Sequence, residues 1–214
     1  MKPNSEPAMK RVHLFLTCLL LILGAGCGTL RGAGDVARGR QALIEGNNQA
    51  ALGYFLDAEE TNPTYVYGAD LPTEVSSYIG RAQYLTGNYA QAQRTLEMAI
   101  SQNPADNLAR LYLGLTLARQ GDTQKAPQLI DQGLRGIHES LDYIAENFKF
   151  TYGQYWDPGR AIRSAIERDR AMIAGGKIDW PTLIADGESI ALQTEREPDM
   201  ARLQERSQRS LSMD

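Results

Sequence analysis

Few side chains in this sequence could carry covalent or acid–base chemistry, and the two thiols come first. Cys18 and Cys27 stand near the amino terminus, and the histidines are His13 and His138. A thiolate can be a nucleophile, a metal ligand, a disulfide partner or an acyl acceptor. Catalysis and metal binding need companions in a recognisable pattern. There is no Gly-x-Ser-x-Gly elbow, no His-Glu-x-x-His and no glycine-rich loop ending in Gly-Lys-Ser/Thr, so the hydrolase, metalloprotease and phosphate-loop templates fail at the residue level. Gly32-Ala33-Gly34 is not preceded by the strand a dinucleotide loop requires. His138 has Asp142 one helical turn on, which makes two potential metal ligands and not a site. Glu59-Glu60 and the Asp186/Glu188 pair read as solvated charges on helix faces. The sequence nominates no catalytic residue, no metal site and no cofactor, and the expectation is a protein that is not an enzyme.

Cys27 sits in an informative context. Lys2, Lys10 and Arg11 precede an apolar run from Val12 to Leu23, followed by Gly24-Ala25-Gly26-Cys27. A basic start, an apolar core of about a dozen residues and a small-residue cleavage site form a secretory signal, too short to span a bilayer. With Cys directly after the small residues, the segment resembles a bacterial lipoprotein signal. That resemblance implies cleavage before Cys27 and acylation of its thiol, with residues 1–26 as signal peptide and 27–34 as a lipid tether. Gly28, in place of Asp, implies by the same resemblance the outer membrane of a Gram-negative cell, facing the periplasm. The other reading is an uncleaved anchor, which keeps the protein on the same side of the membrane. Cleavage would remove Cys18 and, with three basic residues and one acidic one, take the net charge from −4 to −6. An acidic body without a basic stripe is a poor nucleic-acid binder.

The elements that position everything else are set by a spacing of 34 residues. Ile79-Gly80, Gly87, Ala92, Leu96 and Ala99 recur as Leu113-Gly114, Gly121, Ala126, Ile130 and Gly133, and a copy displaced by 41 residues runs through Gly39, Gly46-Asn47, Ala51, Phe55 and Ala58. Small residues sit where two helices must cross closely, and Phe55, Leu96 and Ile130 fill the adjoining core position. Gly46-Asn47, Gly87-Asn88 and Gly121-Asp122 tolerate a left-handed helix end, and Asn62-Pro63 and Asn103-Pro104 stop the second helices. On these residues the stretch 35–138 resembles the tetratricopeptide repeat family. The fold class this implies is all-α: about three helix-pair repeats in a short superhelix, with C-terminal capping helices. Repeat three has His138 where the earlier copies have Pro, so its second helix can run on. The seven-residue excess within 64–70 reads as a surface loop, or as a lip of the binding face.

Residues 139–214 read as a helical cap and a polar tail. Six aromatics lie between Tyr143 and Trp156, of which Tyr143, Phe148 and Trp156 are expected to seal repeat three, while Tyr152 and Tyr155 are the members placed to reach a partner. Asp157-Pro158-Gly159 is expected to start a helix that ends at Gly175-Gly176, with Asp157 as cap and Pro158 in its first turn. A second helix is expected from about Asp179. Pro198 should interrupt it, or divide it from a last polar helix.

In the repeat family the first helices of each pair line a concave groove. The resemblance places Arg40, Tyr78, Arg81, Tyr84, Leu108 and Tyr112 there, with Val36, Leu43, Leu111 and Leu115. Val36, Tyr78, Leu108 and Tyr112 replace the Lys/Asn set that family members use to clamp a terminal carboxylate, so the lining predicts a helical or extended segment with apolar anchors and an acidic group. Arg81 and Tyr84 lie outside the small/large core pattern and are expected to contribute to binding more than to folding. The alternative is that the C-terminal helices fill the groove themselves. Two functions compete: a membrane-anchored periplasmic adaptor for envelope proteins or peptides, and an accessory subunit of a periplasmic solute-transport system.

Overall fold

Glycine against a bulky side chain is the joint from which the fold is assembled. A Cβ on Gly39 would lie 2.5 Å from the Phe55 ring, one on Gly80 2.5 Å from Leu96 Cγ, and one on Gly114 2.7 Å from Ile130 Cγ1. Each pair joins the first helix of a repeat to the second, and the same joint appears three times. The spacing set glycine against alanine. In the structure it is the large residue four positions on that fills the glycine's place, with Ala51, Ala92 and Ala126 buried beside it. Gly46, Gly87 and Gly121 have φ of +78°, +79° and +86° with open space around them, so glycine is needed there for conformation and not for room.

The computed structural model describes residues 31–68 and 70–211. The residues read as a signal segment, and Cys27, lie outside the described residues. The repeats are α1 (residues 31–44) with α2 (Asn48–Thr61), α3 (Val75–Leu85) with α4 (Tyr89–Gln102), and α5 (Asn107–Arg119) with α6 (Ala126–Asn147). Residues 31–34, read as tether, already belong to α1. Asp106 joins the second and third pairs: its carboxylate caps α5 by accepting from Ala109 N at 2.8 Å, and it also accepts from the Ser77 hydroxyl on α3. As its sequence suggested, α6 runs past His138, crossing the boundary drawn there. Among the described residues no helix is long and apolar enough to cross a membrane.

A glycine substitution tests the packing. On Gly133 of α6 a Cβ would come 2.6 Å from the backbone nitrogen of Leu111, an atom that cannot move without shifting α5. Gly133→Ala is therefore expected to cost roughly 1–3 kcal/mol. Gly53, exposed on α2 with open space around it, should gain roughly 0.5–1 kcal/mol as Ala. Urea unfolding measures both, and shifts of the same sign would mean that the α5–α6 contact is misassigned.

The insertion between repeats one and two is more than a surface loop. It forms a small antiparallel ribbon, β1 (Val66–Tyr67) with β2 (Thr73–Glu74), pairing Val66 with Glu74 and Tyr67 with Thr73. The ribbon brings the Tyr67 ring over the Arg40 guanidinium, 3.9 Å from its carbon.

After α6 a 3₁₀ turn (Tyr152–Tyr155) leads to α7 (Ala161–Ala174) and α8 (Trp180–Leu211). Asp157 is the capping carboxylate, accepting from Ile162 N at 3.0 Å and Arg163 N at 3.1 Å. Pro158, however, precedes the helix, which begins at Ala161 after Arg160 in the left-handed region. Trp156 is buried and Phe148 stacks on Tyr152, but Tyr143 is 60% exposed and only meets Phe148 edge to face. The expected break at Pro198 is absent: α8 is one helix through it. Proline removes the bond to the carbonyl of Thr194 and crowds that carbonyl with its ring, but α8 is docked on both sides of that point, by Glu195 before it and by Asp199 and Ala201 after it. Tertiary contact outweighs the lost hydrogen bond.

Candidate interaction groove

The first helices α1, α3 and α5 form the concave wall, and α8 lies along it. Near the start of the contact Gly187 lets the helix approach α5, where a Cβ would come 3.0 Å from Leu115 Cδ2. Next, Glu188 accepts from Arg119 of α5 at 3.0 Å and from the Tyr84 hydroxyl of α3. Seven residues on, Glu195 enters between the repeats. It accepts from Arg81 Nη1 at 2.7 Å and from the Tyr78 hydroxyl at 3.0 Å, both on α3, and pairs with Arg40 Nε on α1. Arg40 also donates to the Glu195 carbonyl at 2.9 Å and to Asp199 at 3.3 Å. Leu183, Ile184, Ile190 and Ala191 supply the apolar part of the face.

Burial sets the electrostatics. Arg40, Arg81 and Glu195 are 5%, 3% and 5% exposed, so their charges survive only because they are paired. Burial works against the charge on Arg40, but Glu195, Tyr78 and Tyr67 together offset it and hold the guanidinium above its ordinary value; Arg81, buried beside Tyr112 and Glu195, is raised in the same way. Burial, and then Glu195, push the Tyr78 hydroxyl well above its usual range.

The structure brings together the groove residues expected from the sequence: Arg40, Tyr78, Arg81, Tyr84, Leu108 and Tyr112 share one wall. All six are buried there. Arg81 and Tyr84, read as outside the core, are therefore structural as well, because α8 covers them. The lining called for a helical or extended segment with apolar anchors and an acidic group; the helix α8 presents that chemistry from within the chain, the alternative in which the C-terminal helices fill the groove. Tyr152 lies elsewhere, donating to Asp70 at 2.7 Å, and burial together with Asp70 pushes its hydroxyl up to about 12. With Trp156, Pro198 and Arg202 it borders a cleft of about 300 Å³ open to solvent. Tyr155 packs half-buried against the core.

Two roles assigned from sequence change. Glu188 is a groove contact and not a solvated charge. Asp186 stands beside Asp169 of α7, which is fully buried and has no donor at either oxygen unless one of the two carboxyls holds a proton. The signal for the first was present in the sequence: Glu188 and Glu195 are two turns apart on an otherwise apolar stripe, a place where acids are held by partners. His138 meets Asp142 at 3.0 Å and Glu167 at 3.1 Å, and no metal-ligand cluster of three occurs among the described residues.

Residues 79–137, from α3 into α6, match the tetratricopeptide repeat family, whose members are typically non-catalytic modules that bind protein partners. Comparison with curated proteins and with solved structures gives no match.

Proposed function

We propose that the chain is a lipid-anchored scaffold of the Gram-negative envelope, held at the outer membrane through Cys27 and facing the periplasm, where its stacked helix pairs bind protein or peptide partners. The observation that carries this reading is the concave wall of α1, α3 and α5, which holds a helix by apolar contact and buried ion pairs at once. A wall of that chemistry is a helix receptor. The repeat match over residues 79–137 supports it, as does the order of basic start, apolar run and Gly24-Ala25-Gly26-Cys27. Lipid chains contribute roughly 0.8 kcal/mol per buried methylene, so acylation at one thiol with several chains suffices for stable anchoring. The transport reading calls for an enclosed polar cavity; the cleft beside Tyr152 is open.

Cys27→Ser tests the anchor. The variant should accumulate as unacylated precursor and leave the membrane fraction, while the unaltered protein carries acyl mass on its mature terminus. Co-purification of envelope proteins with the wild-type chain tests the scaffold. Recovery of the wild-type protein with a free Cys27 thiol would remove the lipid anchor from this reading.

A further inference from the structure

The contacts of α8 show what the concave wall accepts. Glu195 supplies a carboxylate to Arg40, Arg81 and Tyr78. Glu188, two turns earlier, supplies one to Arg119 and Tyr84. Gly187 is small because Leu115 is close, and Ile184 and Ala191 are apolar. These positions recur at spacings of three, four and seven and so share one helical face.

At one point α8 fits badly. Asp169 of α7 is fully buried, the group α8 places against it is Asp186, and while both carboxylates are ionised neither oxygen of Asp169 meets a donor. The charged groups acting on Asp169 are Asp186, from α8, and Arg168, next to it on α7. Two carboxylates sharing a buried site repel unless one holds a proton. A helix with a neutral donor in place of Asp186 would satisfy Asp169 and keep every favourable contact.

We infer that the concave wall takes, in trans, an amphipathic helix with a carboxylate at the position of Glu195, a small residue at the position of Gly187 and no acid opposite Asp169. α8 is the internal stand-in that this helix displaces. The inference rests on the scaffold reading above and names the class of partner. It also sets a threshold, since a tethered helix competes at an effective concentration on the order of millimolar. The partner overcomes that advantage by relieving the carboxylate pair.

The probe is a fluorescently labelled synthetic peptide copying residues 180–204 with Asp186→Asn, titrated into the full chain. A chain whose own helix is weakened by Gly187→Val, which collides with Leu115, should bind it at least about tenfold more tightly than the unaltered chain. Adding Glu195→Gln to the peptide should weaken binding by about tenfold or more, because the buried arginines lose their countercharge. Restoring Asp186 in the peptide should weaken it by a similar factor. Ile184→Ala in the chain is a second weakening variant that adds no bulk, and circular dichroism confirms that each chain is folded. Binding indifferent to Glu195→Gln, or no binding to either folded weakened chain, overturns the inference. Chain dimers in sedimentation that the peptide dissolves overturn it in favour of a second copy of α8 as the occupant. If the peptide fails while the lipid anchor and co-purifying partners persist, the inference falls and the scaffold reading stands.

Discussion

Replacing Glu195 with alanine is expected to lower stability by about 3–5 kcal/mol and to release α8 from the concave wall. The carboxylate is buried between Arg40 and Arg81, themselves 5% and 3% exposed. Removing it leaves Arg81 uncompensated in a buried position and Arg40 with only the more distant Asp199, at 3.3 Å, a much larger penalty than the loss of the ion pairs' net contribution. Urea unfolding reads the stability, and hydrogen exchange along residues 180–211 reads the release. The comparison is Arg160→Ala, which breaks a pair with Glu167 in which both side chains are 53% exposed; such exposed pairs contribute little to stability. Similar losses for the two variants would mean that α8 is held by its apolar face alone.

Raising the pH from 5 to 8 is expected to destabilise the protein, opposite to the usual behaviour of carboxylates. Burial first, and then Asp186, push Asp169 from 3.8 up to about 7. The folded chain therefore holds a proton that the unfolded chain releases. Stability from this group is fully present below about pH 4 and is lost progressively as the pH climbs to about 7, then stays flat. For a buried, coupled pair the loss is on the order of 2–4 kcal/mol. Asp131 acts in the other direction: burial opposes its charge, but Arg170 and Arg135 hold it below its usual value, so its contribution disappears only in acid. Of these two groups, the first weakens the fold as the pH rises above about 4 and the second weakens it only below the usual carboxylate range, so together they place the optimum near about pH 4. Asp186→Asn should flatten the slope between pH 5 and 8 and raise stability at pH 8. An unchanged slope in that variant would show that the two carboxylates do not share a proton.

The repeat joints were legible because each is local. Gly80 and Leu96 are sixteen residues apart, their relation is fixed by two helices and a turn, and the chain states it three times. The left-handed ends at Gly46, Gly87 and Gly121 were legible for the same reason. The chemistry of the groove lining could also be read, since α1, α3 and α5 follow the repeat register. Its occupant could not. Glu195 and Arg40 are separated by 155 residues, and nothing near Glu195 says whether that acid faces water or a buried arginine. Pro198 misled in the same way: proline carries a local cost, and only the contacts on either side of it keep the helix intact. Asp169 and Asp186 each look like ordinary surface acids until α7 and α8 are packed together. Tyr143 was misread because six clustered aromatics do not say which of them face inward.

The tie between Arg40 and Glu195 also bears on how the molecule comes apart and how it is made. In an open solenoid each repeat touches only its neighbours, so stability is a sum of local terms and the ends fray first. Here the first repeat is fastened to the last helix, and α8 bridges α1, α3 and α5. Terminal fraying should be suppressed and the repeats should melt as one cooperative unit, with α1 exchanging its amide protons as slowly as α5. The same tie is a contact of very high sequence separation, and loop closure of that length is unfavourable until its contacts form. As the chain is synthesised, α1 therefore waits for α8, exposing the wall of Arg40, Tyr78 and Arg81 to other helices until the chain's own helix arrives.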